Sequence, residues 1–232
     1  METNDPHLTP KKNGPWRRRL LYAAGTLAVL GLLTAGYCYY AGLFGDNFRE
    51  VSPGKCYRSG QMSAAHLATH IRESGIKCVI NMRGGSANDP WHAAEERTCK
   101  EAGCVYLSLS LTLGRLVSPN DLSALVAQID AGPYPILLHC KSGSDRAGLA
   151  SVLYRVLKEN QPLDEALSSQ LSMRFGHMPV GDGTSVDELF KLYKQTSNGL
   201  DLRTWIRDVY PGKYQELYPH LKRFATQPSD SH

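Results

Sequence analysis

No two of the six cysteines are separated by just two residues, so the chain lacks the paired spacing of a structural zinc site. His66 and His70 stand four apart on a predicted helix, a spacing that can bind a metal. No glutamate follows in the zinc-protease pattern, and a solvated helix face accounts for them. Excess charge is missing from most of the chain. Beyond residue 45, 21 Lys and Arg face 20 Asp and Glu, which leaves no electrostatic footprint for a nucleic acid. There is no internal repeat, and 232 residues with 42% hydrophobic content suit one globular domain with an appendage.

Charge of either sign is absent between Leu20 and Gly45. That run exceeds the ~20 residues needed to cross a bilayer. Trp16 before it and Tyr37, Tyr39 and Tyr40 near its end match interfacial aromatic belts. Lys11, Lys12, Arg17, Arg18 and Arg19 precede the run, while only Arg49 and Lys55 follow closely. The positive-inside rule then keeps the N-terminus cytoplasmic and exports the rest to a periplasmic or extracellular side. Three alternatives fit less well. Thr34-Ala35-Gly36 is a poor cleavage site, Tyr37 spoils a lipoprotein signal at Cys38, and Arg17-Arg18-Arg19-Leu20-Leu21 only faintly matches a twin-arginine signal. The expected organisation is a basic tail over 1–19, a transmembrane anchor over 20–45, a catalytic body over 46–226 and a disordered tail over 227–232.

What the body does contain is a strand–loop–helix at Pro135 to Lys158. Ile136 to His139 is a short apolar run after the Gly132-Pro133 turn signal. Leu149, Val152, Leu153, Val156 and Leu157 recur at helical spacing from Ala147. Between them lies Cys140-Lys141-Ser142-Gly143-Ser144-Asp145-Arg146. Backbone N–H groups of a Gly- and Ser-rich loop at a helix N-terminus suit a phosphate, and Arg146 adds a planar fork for its oxygens. The same positive field favours the thiolate of Cys140. Spacing alone is weak, since six cysteines and fifteen arginines give a chance Cys-x5-Arg roughly 0.4 times, so the flanking strand and helix carry the inference.

The rest of the body alternates strand and helix. Strands are expected at Lys55–Ser59, Lys77–Asn81 and Cys104–Leu109, and helices at Ser63–Glu73, Trp91–Glu101 and Ser118 to about Ala131. Leu163–Met173, Val186–Gln195 and Leu202–Val209 look helical. The fold class is therefore α/β, a central mostly parallel sheet flanked by helices with one N-terminal transmembrane helix. Of the other cysteines, Cys78 reads as plain core, and Cys99 with Cys104 is a possible couple in an exported domain.

His139 to Gly148 resembles the signature loop of cysteine-based phosphatases of the dual-specificity and protein-tyrosine type. Asn47-Phe48-Arg49-Glu50-Val51 through Tyr57-Arg58-Ser59-Gly60-Gln61, and Val79 to Gly84, resemble a bacterial membrane-anchored branch of that superfamily. The resemblance implies a phosphomonoester hydrolase without a cofactor or metal. Cys140 would attack phosphorus, Arg146 would hold the transferring group, and Lys141, Ser142, Gly143, Ser144, Asp145 and Arg146 would bind the phosphate. Its partners would be a phosphorylated protein or a phospholipid, and the membrane. His139 would position the nucleophile, and His177 defaults to a loop histidine. The family usually carries Ser or Thr after the arginine, where this chain has Ala147, and a carboxylic acid upstream, where Ser108 to Ser118 has none. Asp145, Asp121 and Asp89 are the candidate acids. A phosphate-binding module without turnover is the alternative.

Overall fold

The computed structural model describes residues 15–221, with the side chains of 38–44 left out. The first fourteen residues of the expected basic tail, the expected C-terminal tail and the side chains of Tyr39 and Tyr40 lie outside the described residues. The chain divides between Gly42 and Leu43 into two units. The first consists mainly of helix α1 (Pro15–Phe44). Its Pro15–Tyr37 portion is long and apolar enough to cross a membrane by length and composition, a property that a membrane span and a signal sequence share.

The second unit is built on a five-stranded sheet in the order β1 (Arg49–Ser52), β2 (Cys56–Ser59), β5 (Ile136–His139), β3 (Cys78–Asn81), β4 (Val105–Ser108). β2, β5, β3 and β4 run parallel and only β1 is antiparallel. Strands covered on both faces need apolar side chains on both. Cys56, Cys78, Ile80, Ile136 and Leu138 accordingly enter the larger core. There they meet α4 (Pro119–Ala131), α5 (Asp145–Glu159), α6 (Leu163–Gln170), α7 (Thr184–Thr196), α8 (Leu202–Asp208) and α9 (Tyr210–Leu217). Tyr57, Val79 and Leu137 point the other way, with Leu67 and Ile71 of α2 (Ala64–Ser74) and Cys99 of α3 (Pro90–Glu101). The expected α/β layering is what the chain adopts.

The local signals act as their chemistry dictates. The hydroxyl oxygens of Ser63 and Ser118 accept from the His66 and Asp121 amides, and Pro119 occupies the first turn of α4 where its missing N–H costs nothing. Three elements depart from expectation. β1 was not anticipated as a strand, because Arg-Glu-Val-Ser carries no alternating apolar pattern and pairs as an edge with an irregular register. α9 was missed because Pro211-Gly212 resembles a break, yet the proline sits in the helix's first turn. α6 stops at Gln170 instead of reaching Met173, with the Gln170 carbonyl taken by the Arg58 guanidinium at 2.6 Å.

Candidate active site

Register brings the carboxyl ends of the inner strands level: Ser59 pairs with His139, and Asn81 with His139. Ligands of open parallel sheets bind beyond such ends. Cys140 follows His139 and is 1% exposed, and the chain then turns through Lys141 to Ser144 into α5. α5 begins at Asp145, two residues earlier than its apolar periodicity indicates. Arg146 therefore stands in the first helical turn.

The loop is fastened from outside. The Lys141 carbonyl accepts from the Gln61 amide at 3.0 Å, and that of Ser142 from Asn47 Nδ2 at 3.1 Å. The carbonyls of Gly143 and Ser144 accept from one Arg58 nitrogen at 2.8 and 2.9 Å. In a trans peptide the N–H points opposite to the preceding C=O. Four carbonyls held outward thus turn the amides of Ser142, Gly143, Ser144 and Asp145 inward, and the Gly143 amide donates to Cys140 Sγ at 3.3 Å. Gly143 permits this with φ +76°, and a Cβ there would come within 2.6 Å of the Gly60 nitrogen. Such a ring of amides at a helix N-terminus is an anion cradle.

Two arginines complete it. Arg146 donates to the carbonyls of Met82 and Leu111 at 3.3 and 3.2 Å, which pins its guanidinium between the loops that follow β3 and β4. Its Nε is buried and donates to none of the described residues, so a donor remains for an anion's oxygen. Arg58, wholly buried and stacked 4.2 Å over the Phe175 ring, lies behind the loop. Burial lowers its pKa to about 10, opposed by electrostatic interaction with the neighbouring Cys140, Cys56 and Asp145 side chains, and it stays cationic at neutral pH. The sequence around Arg58 does not by itself indicate this role. The usable signal was a charged residue inside a strand whose neighbours are all buried.

His139 Nε2 lies 3.0 Å from Oε1 of the buried Glu95, whose other oxygen accepts from the Tyr106 hydroxyl at 2.9 Å. Tyr106 in turn accepts from Asn81 Nδ2 at 2.8 Å. This chain of polar groups holds the imidazole next to Cys140, and burial, followed by interaction with Glu95, raises the Tyr106 pKa. Asp145 Oδ1 lies 2.7 Å from Nδ1 of His177, a loop histidine as expected, buried between two short 3-10 turns. Asp121 and Asp89 stand at helix starts: Asp121 exchanges hydrogen bonds with Ser118, and Asp89 accepts from the Ser86 amide at 2.8 Å. Ala147 is fully buried.

His66 and His70 both face Asp46, at 2.6 and 4.0 Å. The thiols of Cys99 and Cys104 hydrogen-bond to each other and are free, as are the other described cysteines. Burial pushes Cys78 up to about 12 and Cys56 well above its ordinary range, so neither is a nucleophile.

TpbA of P. aeruginosa, solved in complex with pTyr, is similar at 24% identity and TM-score 0.50, over 66% of this chain and 92% of that one. Tk-PTP, solved in its active form, is similar at 17% identity and TM-score 0.50, over 64% of this chain and 97% of that one. At these identities the likeness shows the fold alone. No curated protein matches. The tyrosine phosphatase family, however, matches over residues 40–158, half of the chain including β1 to β5, the cradle and nearly all of α5. The chain belongs to the tyrosine phosphatase family, among the cysteine-based phosphatases.

Proposed function

We propose that this protein hydrolyses phosphomonoesters through a cysteinyl-phosphate intermediate while tethered to a membrane by α1. The observation that carries the mechanism is the cradle: the Gly143 amide donates to Cys140 Sγ, the neighbouring loop carbonyls are fastened outward, and Arg146 Nε has no partner among the described residues. The Cys140 thiolate attacks phosphorus in line, the S–P bond forms, and the ester oxygen leaves with a proton from Asp145. Water then attacks the intermediate and releases phosphate. The amides and Arg146 bear the charge that spreads over the equatorial oxygens in both steps. Ala147 brings no hydroxyl to the second step, so breakdown of the intermediate limits the rate.

For the substrate, phosphotyrosine in a protein is one class, as in the TpbA complex. A second class, a phospholipid, is favoured by Lys141, which is exposed in the loop and suits a polyanionic headgroup. The five basic residues before Leu20 keep the N-terminus cytoplasmic and the body on the exported side.

The test uses the full chain in liposomes and in detergent. Wild type should release phosphate from para-nitrophenyl phosphate, vanadate should block it, and Cys140→Ser should abolish it without unfolding the protein. Parallel assays on phosphotyrosyl peptides and phosphatidylglycerophosphate separate the two substrate classes. Substantial activity in folded Cys140→Ser would end the cysteine mechanism, and vanadate binding without any turnover would make the chain a phosphate-binding module. A reporter fused after His232 should be active only on the exported side, and cytoplasmic activity would reverse the topology.

A further inference from the structure

His177 is only 3% exposed, and each of its ring nitrogens faces a carboxylate. Nδ1 lies 2.7 Å from Asp145 Oδ1, and Nε2 lies 3.1 Å from Asp187 Oδ2. An imidazole placed between two acceptors is built to carry both of its protons. Asp145, on α5, is 19% exposed, and among the described residues nothing hydrogen-bonds to its Oδ2. Asp187, on α7, is 42% exposed and lines a cavity of about 450 Å³ with Phe190, Lys191 and Lys194. The three groups form a line from solvent to the catalytic loop.

A lone carboxyl is a poor acid near neutrality. With an ordinary aspartate pKa of about 3.9, roughly one molecule in a thousand holds the proton at pH 7. Joining the carboxyl to an imidazole changes this. Imidazolium with carboxylate and neutral imidazole with carboxylic acid contain the same number of protons, and one shift across the 2.7 Å contact interconverts them.

We propose, on the cysteine mechanism above, that Asp187, His177 and Asp145 form a proton relay in which His177 is the positioning residue that supplies the leaving group's proton through Asp145. In the first step the Sγ–P bond forms and the P–O bond breaks, its electron pair staying on oxygen. The Nδ1 proton passes to Asp145 and on to that oxygen, leaving His177 neutral. In the second step water gives its proton to Asp145 and thence to Nδ1, as its oxygen joins phosphorus and the thiolate departs. Protons balance over the cycle. This use of one dyad as acid and then base fits a site with no hydroxyl at Ala147 and no carboxylate from Ser108 to Ser118.

The electrostatics agree. Asp145 from α5 and Asp187 from α7 face the imidazole, and Arg58 from β2 acts on Asp145. The hydrogen bond to Asp145 raises the His177 pKa above its ordinary 6.5, with Asp187 adding to the rise and burial opposing it.

The experiment is a set of pH–rate profiles of the full chain in detergent, on para-nitrophenyl phosphate and on an alkyl phosphate. For the alkyl ester, wild type should keep its rate to above pH 6.5. His177→Gln should move that alkaline limb down by about one pH unit or more and cut the alkyl-to-aryl rate ratio at pH 7 at least ~10-fold. Asp187→Asn, at a half-exposed surface position, should shift the limb the same way by less. Equal losses on both esters with an unmoved limb would reduce His177 to a packing role and overturn the relay. In isotope-labelled Cys140→Ser protein, NMR titration should find His177 above 6.5 and lower in Asp187→Asn. A titration at or below 6.5 would also overturn it. A wild type inert even on the aryl ester would sink the cysteine mechanism itself, and the relay with it.

Discussion

Replacing Arg58 with Met tests whether the loop is held from behind. The guanidinium donates to the carbonyls of Gly143, Ser144 and Gln170, all in a buried setting. Two of these acceptors, the carbonyls of Gly143 and Gln170, would be left unpaired at about 1–3 kcal/mol each, while that of Ser144 keeps the Gly148 amide at 2.8 Å. Removing the buried cation returns something: its fall from 12.5 to about 10 corresponds to about 3 kcal/mol. The two effects nearly offset, leaving a net change of about −1 to 3 kcal/mol, so the melting temperature should move by no more than roughly 10 °C. Catalysis should suffer more. Freed of Arg58, the Gly143 carbonyl no longer forces the Ser144 amide inward, and one such donor is worth about 10²–10³ in kcat. Thermal melts and para-nitrophenyl phosphate kinetics of the detergent-solubilised chain read both effects. Arg58→Lys, which keeps the charge but not the fork, should fall between. If Arg58→Met stays within about threefold of the wild-type kcat/KM, Arg58 does not organise the loop.

Gly143→Ala should destroy activity outright, because its φ of +76° and the nearby Gly60 nitrogen leave no place for a Cβ; retained vanadate binding would contradict this. Ala147→Ser should speed breakdown of the phospho-enzyme, seen as a smaller burst and a higher steady-state rate, and an unchanged burst would mean that this step is not limiting. Glu95→Ala should destabilise the fold by about 1–3 kcal/mol in chemical denaturation, since it leaves the Tyr106 hydroxyl without its acceptor. His177 has a folded pKa raised above 6.5, so its pairing stabilises fully below pH 6.5 and less as pH rises through the raised value. The stability gap between wild type and His177→Asn should therefore be wider at pH 6 than at pH 9.

The cradle was legible in the sequence because its two flanks carry periodic apolar residues: Ile136 to Leu138 in a buried strand and Leu149 to Leu157 on one helix. What fastens it was not. Asn47 and Arg58 act through backbone carbonyls more than 80 residues away, and no local pattern encodes such a contact. His177 looked like a loop residue between Gly176 and Pro179, and its burial depends on Asp187 arriving from a later helix. β1 escaped because an edge strand of mostly polar residues has no periodicity to find, whereas β3 and β5 announced themselves by the apolar runs Cys78 to Ile80 and Ile136 to Leu138.

The outward fastening of the loop has a thermodynamic side. The four inward amides and Arg146 Nε keep their geometry before any ligand arrives, and an oxyanion meets that capacity whatever ester it came from. Unfolding must expel the anion, so phosphate, sulfate or vanadate at a hundred times its Kd adds about 2.7 kcal/mol to the fold's stability. Free phosphate is also the reaction's product. Accumulating product therefore slows the protein and protects it at once, and a compartment poor in phosphate holds it in its least stable and most available form.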